Sequence, residues 1–133
     1  MRIMLDANVH VSIALFNTPR MSTLLKDVQN NHTLVVSDCV LREVLDTTKR
    51  KFPHKIDEMN IYINNLRYEY FNSNCDDPTK YPTIRDYKDI PIFASAIESN
   101  VDIFITGDKD FDDVKIEHPR ILKPRQYSDE YMV

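Results

Sequence analysis

The segment that decides the fold is MRIMLDAN, residues 1–8, in which an apolar run ends at Asp6. A second segment, VDIFITGD at residues 101–108, repeats the arrangement and ends at Asp108. Each run is long enough for one short, buried strand, and the acid follows it directly. In parallel sheets, ligands bind at the edge where the carboxyl ends of the strands meet. The two segments therefore predict a parallel sheet with acidic groups at its carboxyl edge.

Strand and helix patterns alternate along the rest of the chain. Further strands are predicted at 33–37, 68–71 and near 115–122. Helices are predicted at 8–16, 19–28, 38–45, 54–66 and 90–97. This order predicts an α/β protein, a three-layer α/β/α sandwich around a central, mostly parallel sheet. We expect residues 1–133 to form a single domain, because the length suits one compact core.

The composition excludes several classes of protein. The chain has 133 residues, is 42% hydrophobic and carries a net charge of −4, which argues against a non-specific coat on DNA. One glycine in the whole chain argues against a glycine-rich phosphate loop. No apolar run approaches the roughly 20 residues of a membrane span, and no secretory signal pattern is present. These features predict a cytoplasmic protein with no membrane partner.

The two cysteines, Cys39 and Cys75, are too few to imply a disulfide scaffold. We expect both to be reduced thiols. Cys39 lies in an apolar helical pattern and is expected in the core. Cys75 lies in a polar segment and is expected to be exposed.

Two further acids lie beside apolar helical segments. Glu43 lies at the edge of an apolar helical stripe, and Asp89 directly precedes the apolar helix that begins near Ile90. Together with Asp6 and Asp108 they would form a pocket of oxygen ligands if the fold gathers them. Such a pocket suits a hard divalent cation such as Mg²⁺ or Mn²⁺ and indicates phosphodiester chemistry.

Each acid also has a plain structural interpretation. Asp6 and Asp89 could cap the helices that follow them, since Asp is a favoured N-cap residue. Asp108 could belong to a turn, and Glu43 could be a solvated helix residue. Taken singly, these interpretations are the stronger ones. Capping does not predict that the acids collect at one sheet edge, however, so the four together favour a functional site.

Four segments resemble the motifs of PIN-domain ribonucleases, and in particular VapC-like toxins. They are MLDANV at 4–9, the stretch Ser37–Val44, RDYKDIP at 85–91 and ITGDKDF at 105–111. They occur in the family's order and span nearly the whole chain. The resemblance implies a PIN-like α/β/α fold and Mg²⁺- or Mn²⁺-dependent endoribonuclease activity. By motif, the catalytic and metal-binding acids would be Asp6, Glu43, Asp89 and Asp108.

The resemblance also implies supporting residues. Asn8 would help to orient the carboxylate of Asp6, and Thr106 would play a similar part near Asp108. Two alternatives stay open. Asp110 could share or exchange the role of Asp108, and Asp86 competes with Asp89.

The function predicted in this way is endonucleolytic cleavage of RNA, as the toxin component of a toxin–antitoxin pair. The candidate partners are an RNA substrate, an antitoxin protein and a second copy of the chain. One alternative is a PIN-like module that binds RNA or protein without cleavage. A weaker one is an α/β phosphatase, which would normally carry a second Asp where Asn8 stands.

Overall fold

A computed structural model describes residues 1–75 and 90–132 of the chain. The strands are β1 Arg2–Leu5, β2 Thr33–Ser37, β3 Glu69–Phe71, β4 Ile103–Ile105 and β5 Arg120–Leu122. The helices are α1 Ala7–Val11, α2 Pro19–Asn31, α3 Asp38–Lys51, α4 Ile56–Asn65, α5 Ile90–Glu98 and α6 Pro124–Tyr131. Within this part of the chain, no helix combines the length and apolar character needed to cross a membrane.

The five strands form one parallel sheet in the order β3-β2-β1-β4-β5. The central strand is β1, whose Met4 pairs with Val35 of β2 on one side and Phe104 of β4 on the other. Because β1 and β4 are parallel neighbours, their carboxyl ends lie side by side. The predicted α/β fold with a parallel sheet is confirmed.

The strands are short, apolar runs because helices cover the sheet. Ile3, Met4 and Leu5 of β1 are 0% exposed, as expected for a parallel sheet that is buried on both faces. One helical layer contains α2 and α6, which contact each other, and the other contains α1, α3, α4 and α5. Full burial of one Leu or Ile side chain contributes about 1.5–3 kcal/mol. The central strand is therefore a rigid support for whatever follows its last residue.

The helix predicted at 8–16 is only partly regular. Regular α-helix ends at Val11, and the segment Ser12–Phe16 continues as a wider π turn. The turn ends at Asn17, which adopts a left-handed conformation with φ of 44°. The wider turn buries Leu15 and leaves Phe16 exposed. Hydrophobic spacing alone cannot predict this difference, because both residues are apolar.

The expectation of two separate reduced thiols is wrong. Cys39 and Cys75 form a disulfide, with their Cα atoms 5.4 Å apart. Cys39 is buried as predicted, whereas Cys75 is half-buried rather than exposed. The pairing arises because β3 is parallel to β2, so the chain after β3 returns to the amino end of α3. A sequence separation of 36 residues gives no sign of this proximity.

Candidate metal centre

The carboxyl ends of β1 and β4 place two acids next to each other in the fold. Asp6 follows the last residue of β1, and its backbone N–H donates to the carbonyl of Ile105, the last residue of β4, at 2.9 Å. Thr106 and Gly107 then lead from β4 to Asp108. This sheet edge is where the sequence predicted the acids to collect.

Thr106 connects the two acids directly. Its hydroxyl donates to Oδ2 of Asp6 at 2.6 Å and accepts from the backbone N–H of Asp108 at 3.1 Å. The other oxygen of Asp6, Oδ1, accepts from the N–H of Ala7 at 2.7 Å and so caps α1. Asp6 and Thr106 are both buried. The position of the Asp6 carboxylate is thus fixed from both sides.

Asp108 is held by the short helical turn Lys109–Phe111 that follows it. Its Oδ1 accepts from the N–H of Asp110 at 2.9 Å, so Asp108 caps this turn as Asp6 caps α1. The turn is anchored by Phe111, whose ring lies 5.3 Å from Phe93 of α5 and 5.4 Å from Phe104 of β4, centroid to centroid. Packing of three aromatic rings therefore determines where the Asp108 carboxylate lies.

Glu43 approaches the same edge from α3, which packs against α1. Its side chain is half-buried, and the hydroxyl of Thr47, one helical turn later, donates to its Oε1 at 3.3 Å. Residues four apart lie on the same face of a helix, so Thr47 can restrain Glu43. The amino end of α3 is fixed by Ser37, whose hydroxyl accepts from the N–H of Val40 at 3.2 Å.

The electrostatics of Asp6 link it to the other two acids. Burial raises the pKa of Asp6, and the negative charges of Asp108 and Glu43 raise it further. Hydrogen bonds from Thr106 and Ala7 lower it, but by less, so the pKa stays above its ordinary value. The fold therefore brings Asp6, Glu43 and Asp108 into one electrostatic cluster.

The donor set fits a hard divalent cation. Every side-chain donor is a carboxylate oxygen, and one oxygen each of Asp108 and Glu43 accepts no hydrogen bond from the described residues. No Lys or Arg within 1–75 or 90–132 pairs with the three acids. A divalent cation would supply the missing positive charge.

The three acids are nevertheless spaced loosely. In the described part of the chain, Asp6, Glu43 and Asp108 do not bring one oxygen each within 4.8 Å of one another. Mutual repulsion of like charges favours such a spacing.

The remaining predicted site residues lie in different places. Asn8 is exposed and makes no hydrogen bond to Asp6 in the part of the chain that is described; Ala7 N–H and Thr106 orient that carboxylate instead. Asp110 is exposed, and its contribution to Asp108 comes from its backbone. Asp86 and Asp89 lie outside the described residues.

A second group of potential ligands lies at the amino end of α3. Within the described residues, Asp38, Cys39 and Cys75 place one ligand atom each within 4.8 Å of one another. The disulfide engages both sulfurs. Asp38 accepts from Ser73 N–H and hydroxyl at 2.9 Å each and from Cys75 N–H at 2.9 Å. This group ties the chain after β3 to α3.

Thr47 is a contributor that the sequence interpretation missed. It contacts Glu43 through the four-residue spacing on α3, a signal that the sequence does contain. The contact of Thr106 with Asp6 joins residues 100 positions apart, and no local pattern reveals it.

Comparison with known proteins assigns the family. A family model described as the PIN domain matches residues 2–110. The chain belongs to the PIN domain family. No protein of curated function matches the sequence significantly.

Two solved structures share the fold. One is VapBC2 from Rickettsia felis bound to a DNA fragment from its promoter, with a TM-score of 0.66, 20% identity and coverage of 92% of this chain and 97% of the other. Another is VapC20 of Mycobacterium tuberculosis, a toxin that cleaves the sarcin–ricin loop, with a TM-score of 0.56, 15% identity and coverage of 86% and 97%. At these identities the likeness concerns the fold.

Proposed function

We propose that this protein is a divalent-metal-dependent endoribonuclease. The observation that carries the proposal is the convergence of Asp6, Glu43 and Asp108, with the pKa of Asp6 raised by burial and by the other two charges. Perturbed carboxylates at the carboxyl edge of a parallel sheet are typical of functional sites. Membership of the PIN domain family supports nuclease chemistry.

The residues that would hold the ion are Asp6, Asp108 and Glu43, together with Asp89, which the motif adds. A bound Mg²⁺ or Mn²⁺ would activate water and stabilise the charge that develops on phosphorus. The chain's own contribution is geometry. Thr106 fixes Asp6 and the backbone of Asp108 with one hydroxyl, so both acids keep their relative position while an ion exchanges.

The test is cleavage of single-stranded and structured RNA with Mg²⁺ or Mn²⁺, and again with excess chelator. We expect cleavage only with metal, and loss of cleavage in Asp6→Asn, which removes a charge at nearly constant volume. The matched control is Asp129→Asn, the same change at an exposed position of α6. Chelator-resistant cleavage, or full activity of Asp6→Asn, would refute metal catalysis by this cluster. RNA binding without cleavage would instead favour the non-catalytic module.

We further propose that the chain is a toxin whose cytoplasmic activity is silenced by an antitoxin. The support is the shared fold with VapBC2 and VapC20. Induced expression of the wild-type chain in a bacterial host should stop growth, and Asp6→Asn should not. Unimpaired growth with soluble, RNA-cleaving protein would separate nuclease activity from toxicity.

A further inference from the structure

An open groove runs beside Asp108 on the surface of the candidate site. Its volume is about 490 Å³, and we call it the Gly107 groove. Its walls include Asn8, Ser12, Met21, Gly107, Asp108 and Lys109. A second depression of about 340 Å³ also borders Asp108 and includes Phe111 and Lys123. Asp108 thus borders two open spaces.

Gly107 is the only glycine of the chain, and the fold itself does not require a glycine there. Its φ is not positive, so its backbone conformation is open to other residues. A Cβ added at this position would meet no heavy atom of the described residues within 4 Å. A side chain at residue 107 would point into open space next to Asp108. The absence of one keeps the groove wide at the acid.

The groove has the chemical character of a site for a nucleotide chain. Lys109 is exposed and forms no ion pair within 1–75 or 90–132, whereas Lys123, in the second depression, is paired with Asp112 at 3.2 Å. Lys109 is therefore a cation that can contact a phosphate. The groove adds amide and hydroxyl groups from Asn8 and Ser12 and an apolar surface from Met21. Such a mixture can bind sugar hydroxyls and the face of a base.

We propose that Gly107 is a substrate-approach position. The backbone of a single-stranded RNA lies in the Gly107 groove, passes directly over residue 107, and pairs one phosphate with Lys109. The lack of a side chain at residue 107 lets the strand come close to Asp108. This inference rests on the proposed ribonuclease function and adds the path of the substrate at that site.

The test compares Gly107→Ala and Gly107→Val with the wild type. Both variants should melt at the temperature of the wild type or higher, because they restrict the unfolded chain and meet no clash. Both should bind Mn²⁺ as the wild type does, measured by calorimetry. Their KM for single-stranded RNA should rise, because small displacements at a reacting centre are costly. The rise should be larger for Val than for Ala, and at least about tenfold for Val.

A second measurement concerns Lys109. Lys109→Gln should weaken RNA binding and reduce the salt dependence by about one unit of log–log slope, as expected for one lost phosphate contact. Lys115→Gln, an exposed lysine outside the groove, is the matched control and should change neither. Binding is followed by the anisotropy of a fluorescein-labelled single-stranded RNA in the Asp6→Asn background, so that it does not depend on cleavage.

The outcomes separate this inference from the proposed function. Cleavage by the wild type, with an unchanged KM in Gly107→Val, would overturn the groove while leaving the nuclease intact. Loss of Mn²⁺ binding or a lower melting temperature in both Gly107 variants would show that glycine serves the fold or Asp108, which also overturns it. Failure of the wild type to cleave would refute the proposed function, and the anisotropy comparison would still decide whether RNA occupies the groove.

Discussion

At the scale of single residues, Thr106 is the side chain that links Asp6 to Asp108. Its one hydroxyl holds both the carboxylate of Asp6 and the backbone of Asp108. Thr106→Val keeps the shape but removes both contacts. We expect activity with Mn²⁺ to fall about 10- to 100-fold, the usual cost of removing a group that orients a metal ligand.

The control for this prediction is Thr48→Val. Thr48 is equally buried, and its hydroxyl donates to the carbonyl of Val44 within α3 and not to any of the three acids. That change should cost stability but not activity. If Thr106→Val kept full activity, the link between the two acids would be irrelevant to catalysis.

Asp6 should make the metal-free protein less stable at neutral pH. Its pKa is raised in the folded state, mainly by burial and then by Asp108 and Glu43, so the folded protein holds its proton more tightly than the unfolded chain does. The contribution of Asp6 to the free energy of unfolding is therefore complete below its pKa in the unfolded chain. It is lost as pH rises from that value through the higher pKa of the folded state. Asp6→Asn should be more stable than wild type near pH 7, although it weakens a helix cap. Urea unfolding of both proteins in metal-free buffer, at a series of pH values, measures the difference in their free energies of unfolding.

The pH dependence of unfolding distinguishes charge repulsion at Asp6 from simple helix capping. The advantage of Asp6→Asn should shrink as pH falls, because wild-type Asp6 then becomes neutral as well. A mutant that is less stable at every pH, by the roughly 1 kcal/mol of a lost cap, would mean that Asp6 serves only α1.

The sequence predicted these acids from local context, and the limits of that prediction are physical. Asp6 and Asp108 could be found because each directly follows an apolar strand. The family resemblance gave Thr106 a part near Asp108, but its hydrogen bond to Asp6 could not be predicted, because that contact arises only once β1 and β4 pair. The family resemblance implied that Asn8 orients Asp6, but the position of Asn8 in α1 leaves its side chain exposed.

At the scale of elements, Asp38 fastens the chain after β3 to α3. Burial raises the pKa of Asp38, but hydrogen bonds from Ser73, Cys75 and Cys39 lower it by more, and the net shift is downward. Stability from a lowered carboxylate pKa is present above the unfolded pKa and is lost as pH falls through the folded one. Asp38→Asn should therefore cost at most about 1 kcal/mol at neutral pH, because a hydrogen bond has about that net worth and water screens this partly exposed carboxylate, and it should cost nothing at strongly acidic pH.

The matched control is Asp46→Asn, an exposed acid on the same helix, which should stay within about 0.5 kcal/mol of wild type. As pH rises, the contribution of Asp38 to stability should thus increase and that of Asp6 should decrease. If Asp38→Asn unfolded like Asp46→Asn at neutral pH, the hydrogen bonds to Asp38 would contribute no net stability.

The elements themselves were predictable where they bury a continuous apolar run. Strands β1, β2 and β4 and helices α2 and α3 follow directly from hydrophobic spacing. Helix α6 was not predicted, although Pro124 at its first position is a recognisable start signal. Its amphipathic pattern depends on one large buried residue, Tyr127, which donates to Asp27 of α2 at 2.5 Å. A helix with one fully buried position has too weak a hydrophobic pattern to be predicted from spacing.

At the scale of the whole molecule, the net charge of −4 includes acids that the fold forces together. The arrangement costs stability without a cation, and proteins often accept such a cost where function requires it. Metal binding should therefore be visible as a change in global stability and not only in activity.

Mn²⁺ should raise the melting temperature of the wild type, because it binds the folded state alone. At a free concentration of about 100 times Kd the gain is about 2.7 kcal/mol, which corresponds to about 10 °C for a domain of this size. Asp6→Asn and Asp108→Asn should melt higher than wild type in chelator and lose most of the gain with Mn²⁺, while Asp129→Asn should behave like wild type. Thermal melts of the four proteins with and without Mn²⁺ measure this. If the wild type ignores Mn²⁺ and both site variants melt lower in chelator, Asp6 and Asp108 serve only as caps, and the nuclease proposal loses its physical basis.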